Sequence, residues 1–170
     1  MVSIKENMQV IGDFSMKIRN TETGEVIDTF EEKNIVVDQG KDLLLRAFTV
    51  RDTNDFVVNT IKIGSDVGVG GTVLAPTMPT VATTEADQTV LYTVPVDEFF
   101  ITYPEPKKVN FFATINGAAV MALFPTQPNV VYTSAGLYLL NDKVFAYKRF
   151  AGRTISNILS IDISWTITVN

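Results

Sequence analysis

Residues 159–169 alternate without a break. Leu159, Ile161, Ile163, Trp165, Ile167 and Val169 fall on one side, and Ser160, Asp162, Ser164, Thr166 and Thr168 on the other. Successive side chains of a strand point to opposite faces of a sheet, so this run requires a strand with one buried and one wet face. A sheet of that kind needs a second layer to cover its apolar side. The same period returns near the other end, where Phe14, Met16 and Ile18 alternate with Ser15, Lys17 and Arg19. Trp165 keeps register with Ile163 and Ile167, and is expected to pack against the Phe14–Met16–Ile18 row or its neighbours.

Turn residues punctuate the remaining pattern. Asn20 to Gly24 separates the first strand from an extended stretch over Val26 to Phe30, and a glycine that tolerates positive φ suits a hairpin there. Asn34 to Val37 either continues the second strand or bends out of it. Asp38 opens a stretch with helical spacing, in which Leu43, Leu44, Ala47 and Phe48 form a stripe. Asp38 suits the cap and Asp42 the first turn, so a short helix ending by Arg51 is predicted. Further strands are predicted over 56–63, 88–96 and 109–115. Asn116-Gly117 carries the signature of a type I′ turn, which would join 109–115 to a strand over 118–124. A last pair, 137–140 and 144–150, flanks Asn141-Asp142.

Two stretches fit no regular element. Residues 64–84 hold Gly68, Gly70, Gly71, Pro76 and Pro79, and read as a long irregular arm. Tyr103 to Lys108 (Tyr-Pro-Glu-Pro-Lys-Lys) reads as a stiff connector. With no internal repeat and no second core, residues 1–170 are expected to form one all-β domain. Its predicted form is a mostly antiparallel β-sandwich with one short α-helix and the arm of 64–84.

Composition closes several routes to function. The 170 residues include no Cys and no His, which removes disulfides, thiol nucleophiles, Ser-His-Asp triads and His-based zinc sites within the chain. Against 14 Lys+Arg stand 19 Asp+Glu, a formal charge of -5. Nucleic-acid and polybasic membrane-surface binders carry the opposite balance, so neither partner is expected. Met1 to Gln9 lacks the continuous apolar run of a signal peptide, and no apolar run is long enough to span a bilayer. Synthesis and solubility in a cytoplasm are therefore expected.

The chemistry-bearing patterns that remain are weak. Gly64 to Gly71 is glycine-rich but is followed by Thr72, Val73 and Pro76, without the Lys and helix start that a phosphate loop uses. A flexible connection is the simpler reading. Asp52, Asp55, Asp66, Asp97 and Glu98 sit near predicted loops without the alternating acidic spacing of a compact calcium loop, so a solvated surface accounts for them. A glycosidase-type pair of carboxylates has no spacing rule in sequence and is given little weight. No catalytic, cofactor-binding or metal-ligating residue is assigned, and an enzyme is not expected.

Apolar residues where no core position is available point to contacts instead. Val67, Val69, Val73, Leu74, Met78 and Val81 make the 64–84 arm too apolar for an idle solvated loop. Phe99-Phe100-Ile101 places apolar residues on both faces of one short stretch, which requires cover on both. Phe111 shares a face with Val109, Ala113 and Ile115, whereas Phe112 falls on the opposite face with Asn110 and Thr114. The candidate subunit-contact residues are therefore Val67, Val69, Val73, Leu74, Met78, Phe99, Phe100, Ile101 and Phe112. The arm is expected to lie across a neighbouring copy of the chain.

Two segments resemble small structural proteins of tailed bacteriophages. The first runs from Gly12-Asp-Phe through Thr23-Gly-Glu-Val26 and Lys33-Asn-Ile-Val-Val-Asp-Gln-Gly40 to Ile61-Lys-Ile-Gly64. The second comprises Ser134-Ala-Gly-Leu137, Val144-Phe-Ala146, Phe150 and Ile163-Ser-Trp-Thr-Ile167. The chain departs from the family pattern at Ser134, where Glu is usual, and at Arg153, where Lys is common. The resemblance implies a symmetric, non-enzymatic virion component of the neck, collar, tail, baseplate or fibre, assembled in the host bacterial cytoplasm. It implies contacts with like subunits and other virion proteins, and brings no catalytic or ligand residue. The alternative expectation is a capsid decoration or a receptor- or carbohydrate-binding β-sandwich module.

Overall fold

The Asn20 turn sets the first hairpin. Its Oδ1 accepts from the backbone N–H groups of Glu22 and Thr23 at 2.8 and 3.1 Å, and Gly24 takes φ 74°. This turn joins β1 (Val10–Asn20) to β2 (Val26–Val36), antiparallel, with Phe14 opposite Glu32 and Met16 opposite Phe30. The computed structural model describes residues 9–36, 40, 57–65, 89–96 and 100–170, without the side chains of Ile35 and Thr89. The predicted helix over 38–51 lies outside the described residues apart from Gly40, as does most of the predicted arm.

The remaining elements are β3 (Val58–Ser65), β4 (Thr89–Pro95), β5 (Ile101–Thr102), β6 (Lys108–Asn116), α1 (Gly117–Met121), β7 (Val130–Leu139), β8 (Val144–Ile155) and β9 (Leu159–Val169). Every strand pairing among the described residues is antiparallel. Two sheets of five and four strands pack as a sandwich, the expected architecture. The first sheet has the order β2-β1-β9-β6-β5 and the second β4-β3-β7-β8. β2 links them. Its last residues leave β1 and pair with β8, Ile35 opposite Tyr147 and Val36 opposite Ala146, so Asn34 to Val36 both continue the strand and bend out of the sheet.

Between the sheets lies an aromatic core. β1 and β9 run in register with Phe14 opposite Trp165, and their rings meet edge to face at 4.8 Å between centroids. Phe150 stacks on Phe14 at 6.0 Å and meets Phe30 at 5.6 Å and Tyr132 at 5.7 Å. Phe14, Met16, Ile161, Ile163 and Trp165 are all buried, which is the pattern their alternation demanded. Where β2 and β8 diverge, side chains hold the corner. Arg153 Nη1 donates to Asp28 at 2.5 Å, and Lys148 Nζ donates to Glu32 and, at 3.1 Å, to the carbonyl of Lys33.

Most of β7 and the first half of β8 are buried on both faces. Leu137 and Ala146 belong to the core, whereas Tyr138, Val144 and Tyr147 form a separate buried cluster. Lys62 Nζ lies 4.4 Å from the centre of the Tyr138 ring, and that ring rests over Gly136, where a Cβ would come within 2.5 Å of it. Burial on both faces abolishes alternation, and β7 accordingly begins at Val130, seven residues before its predicted start at 137.

The Asn116-Gly117 reading is corrected by the structure. This dipeptide starts α1 and does not turn a hairpin. Asn116 is extended (φ -83°, ψ 121°), and its side chain accepts from the Ala118 N–H as a helix N-cap. Gly117 serves close approach: a Cβ there would lie 2.0 Å from the Ser156 carbonyl oxygen and 2.4 Å from that of Leu159. No strand forms over 118–124, and β6 pairs with β9 and β5 instead. A second correction is smaller: Gly64 and Ser65 belong to β3, and no arm begins at 64.

Candidate subunit-contact surface

β5 is two residues long and pairs only with Asn110 and Phe111 of β6. From Phe112 to Asn116, the edge of β6 turned away from β9 has no partner strand among the described residues. Phe112-Ala113-Thr114-Ile115-Asn116 contains neither charge nor Pro, the usual devices that keep a sheet edge from pairing. Three predicted contact residues meet here. The rings of Phe100 and Phe112 stand 6.0 Å apart, Phe100 is 46% exposed, and Ile101 lies half-buried opposite Phe111. Val67, Val69, Val73, Leu74, Met78 and Phe99 lie outside the described residues.

Phe112 is the apolar residue that β6 adds to a mostly polar sheet face, which also carries Ile11 on β1. On the same face Asn110 Oδ1 accepts from Ser164 Oγ at 2.6 Å and from Thr166 Oγ1 at 3.1 Å. Asp162 accepts from Thr114 Oγ1 and Arg19 Nε, each at 2.8 Å, and Lys33 pairs with Asp13. These polar groups satisfy one another in water, so solvation of the face costs little. The pair of exposed Phe100 and half-buried Phe112 at its margin is the exception.

A second surface was missed from sequence. A cleft of about 690 Å³ opens where the strand ends of the two sheets meet, floored by Val58, Phe111, Phe145 and Ile167 and rimmed by Tyr103 and Pro104. Tyr103 is 78% exposed. The rim comes from the predicted stiff connector, which turns through Lys107 at φ 63° and is tied by a Lys108–Glu105 ion pair at 2.8 Å. The floor gathers residues from four strands far apart in sequence, and no local pattern announces such a site. Its apolar floor offers hydrophobic contact, and its charges stand on the rim.

The candidate calcium carboxylates Asp52, Asp55, Asp66, Asp97 and Glu98 lie outside the described residues. Among the described residues, no three Asp or Glu side chains converge as metal ligands. Tyr132 is the group whose titration is most displaced. Burial pushes its phenol well above the ordinary tyrosine value; nearby Arg153 opposes that shift and Asp28 adds to it. Its hydroxyl donates to Met16 Sδ at 3.4 Å inside the core, which is a packing role. Comparison with protein-family models, curated proteins and solved structures returns no match to this chain.

Proposed function

We propose that the chain is a non-enzymatic structural component of a tailed-phage virion, assembling through subunit–subunit contacts into a symmetric ring, collar or tail-associated layer. The observation that carries the assembly part is the Phe100–Phe112 pair beside an uncharged, unpaired sheet edge. Exposed aromatic surface and open backbone groups on one edge both favour a protein partner, because association removes apolar area from water and completes the ladder. The virion part rests on the resemblance of the 12–64 and 134–167 segments to phage structural proteins.

Light-scattering molar mass and electron microscopy of the purified protein test this reading. A mass several times 18.8 kDa, with closed particles that Phe100→Ser plus Phe112→Ser reduces to a folded monomer, supports it. A parent that stays monomeric at high concentration counts against it. The exposed Tyr103 ring at the cleft rim favours a second reading, a glycan-binding module, since such a ring can stack on a sugar face. Glycan-array binding that Tyr103→Ala abolishes, from a monomeric parent, would select that alternative.

A further inference from the structure

The corner where β2 crosses between the sheets brings three reactive side chains together. Ile35 pairs with Tyr147 and Val36 with Ala146, and one step further along the same antiparallel register sets Asn34 opposite Lys148. Both are buried, Asn34 at 7% and Lys148 at 3% exposure. Lys148 Nζ reaches across to β2, where it donates to the Glu32 carboxylate and to the Lys33 carbonyl at 3.1 Å, beside the peptide group of Asn34. The Phe30 ring stands 5.8 Å from Nζ. Gly12 lies opposite Asn34 on β1, and its missing side chain leaves the space the carboxamide occupies: a Cβ there would lie 2.4 Å from Asn34 Cγ. A buried primary amine and a buried primary carboxamide thus stand on facing positions of two strands, with a solvent-exposed carboxylate paired to the amine.

We propose that Lys148 and Asn34 form an intramolecular isopeptide bond, with Glu32 as the catalytic carboxylate. Glu32 takes a proton from Nζ, freeing the amine lone pair to attack Cγ of Asn34. The tetrahedral adduct then collapses: the Nζ–Cγ bond is kept, the Cγ–Nδ2 bond breaks, and Nδ2 leaves as ammonia. Glu32 passes its proton to the departing nitrogen, and a second Nζ proton leaves with it. An ammonium and a carboxamide become one secondary amide and one ammonium ion, with no oxidant or co-reactant. Folding supplies the rate by holding amine and amide in a fixed mutual position that two dissolved molecules reach only rarely. Glu32 is exposed to solvent, which gives the ammonium ion a way out. The product would tie β2 to β8 next to the two residue pairs that hold the strands together, closing the sandwich corner covalently. The inference stands independently of the virion reading.

Intact-mass spectrometry of the folded full chain, after incubation at neutral pH, is the test. The expected mass is one ammonia below that of the sequence. A branched tryptic peptide should join residues 34–41 to residues 144–149, because trypsin does not cut after an acylated lysine. Lys148→Arg, which keeps the charge and hydrogen-bonding reach, should restore the full mass, and Glu32→Gln should slow or abolish the loss. A parent at full sequence mass overturns the proposal. So does an ammonia loss that persists in Lys148→Arg or that maps to Asn116-Gly117, which can lose ammonia by cyclising to a succinimide. Should Lys148→Arg fail to fold, the branched peptide from the parent decides the matter alone.

Discussion

Replacing Trp165 with alanine tests the core most severely. The indole is fully buried, with Phe14 opposite it on β1, Phe111 opposite it on β6, and an edge-to-face contact to Phe14 at 4.8 Å. Both neighbours are held in unbroken registers, so the strands cannot slide to close the hole. Truncating a buried Trp to Ala costs about 3–5 kcal/mol, and poor relaxation puts this site near the upper end. That is a large part of the roughly 5–15 kcal/mol by which a domain is stable. Trp165→Phe should be far milder. Nε1 is buried with no hydrogen-bond partner among the described residues, so losing it forfeits no bond, and the cost is only the smaller ring, about 1–2 kcal/mol. Trp165 is the sole Trp, so urea unfolding is best followed by far-UV circular dichroism. With a slope of about 2 kcal/mol per molar urea, Trp165→Ala should lower the midpoint by about 2 M and Trp165→Phe by less than about 1 M. Equal losses for the two variants would mean that the N–H does have a partner. An alanine variant within about 0.3 M of the parent would mean that the sandwich is not packed around this residue.

Gly117→Ala should destabilise by about 1–3 kcal/mol, because the added methyl meets two backbone carbonyls that cannot step aside. Asn116→Ala should cost about 1 kcal/mol through loss of the N-cap. Thermal melts of both check the pair, and a neutral Gly117→Ala would refute the close approach. For Tyr132 the folded-state titration is raised, so the neutral phenol is favoured and its contribution is complete below the unfolded value near pH 10. Above that, the unfolded chain holds fewer protons than the folded one, and stability should fall by about 1.4 kcal/mol per pH unit. Urea midpoints at pH 9 to 11 should show this loss in the parent and a shallower one in Tyr132→Phe; identical slopes would contradict it.

Much of the sandwich was legible where one face of a strand meets water. The runs Phe14–Met16–Ile18 and Leu159 to Val169 alternate because Ser15, Lys17, Asp162, Ser164 and Thr166 are wet, and the contact between Phe14 and Trp165 followed from that alternation. β7 carried no such signal from Val130 to Gly136, since both its faces are covered. Of the contact surface, Phe112 was legible because it breaks the polar face of its own strand. The cleft under Tyr103 was not, because its floor comes from residues as distant as Val58 and Ile167.

The amino-acid sequence by itself determines burial along the strands that have one wet face, and that the domain is all-β, because period-two burial is a local property of such a strand. It also determines, through the absence of His and Cys, which chemistries the chain cannot perform. Only the tertiary structure decides what a local signal is used for. Asn116-Gly117 has the residues of a hairpin turn, yet Asn116 caps a helix and Gly117 lets two distant carbonyls come close. Asn34, Lys148 and Glu32 are unremarkable in the sequence, Lys148 standing 116 positions after Glu32. They meet because β2 leaves one sheet for the other, and a strand's choice of partner depends on what packs beside it as well as on its own residues.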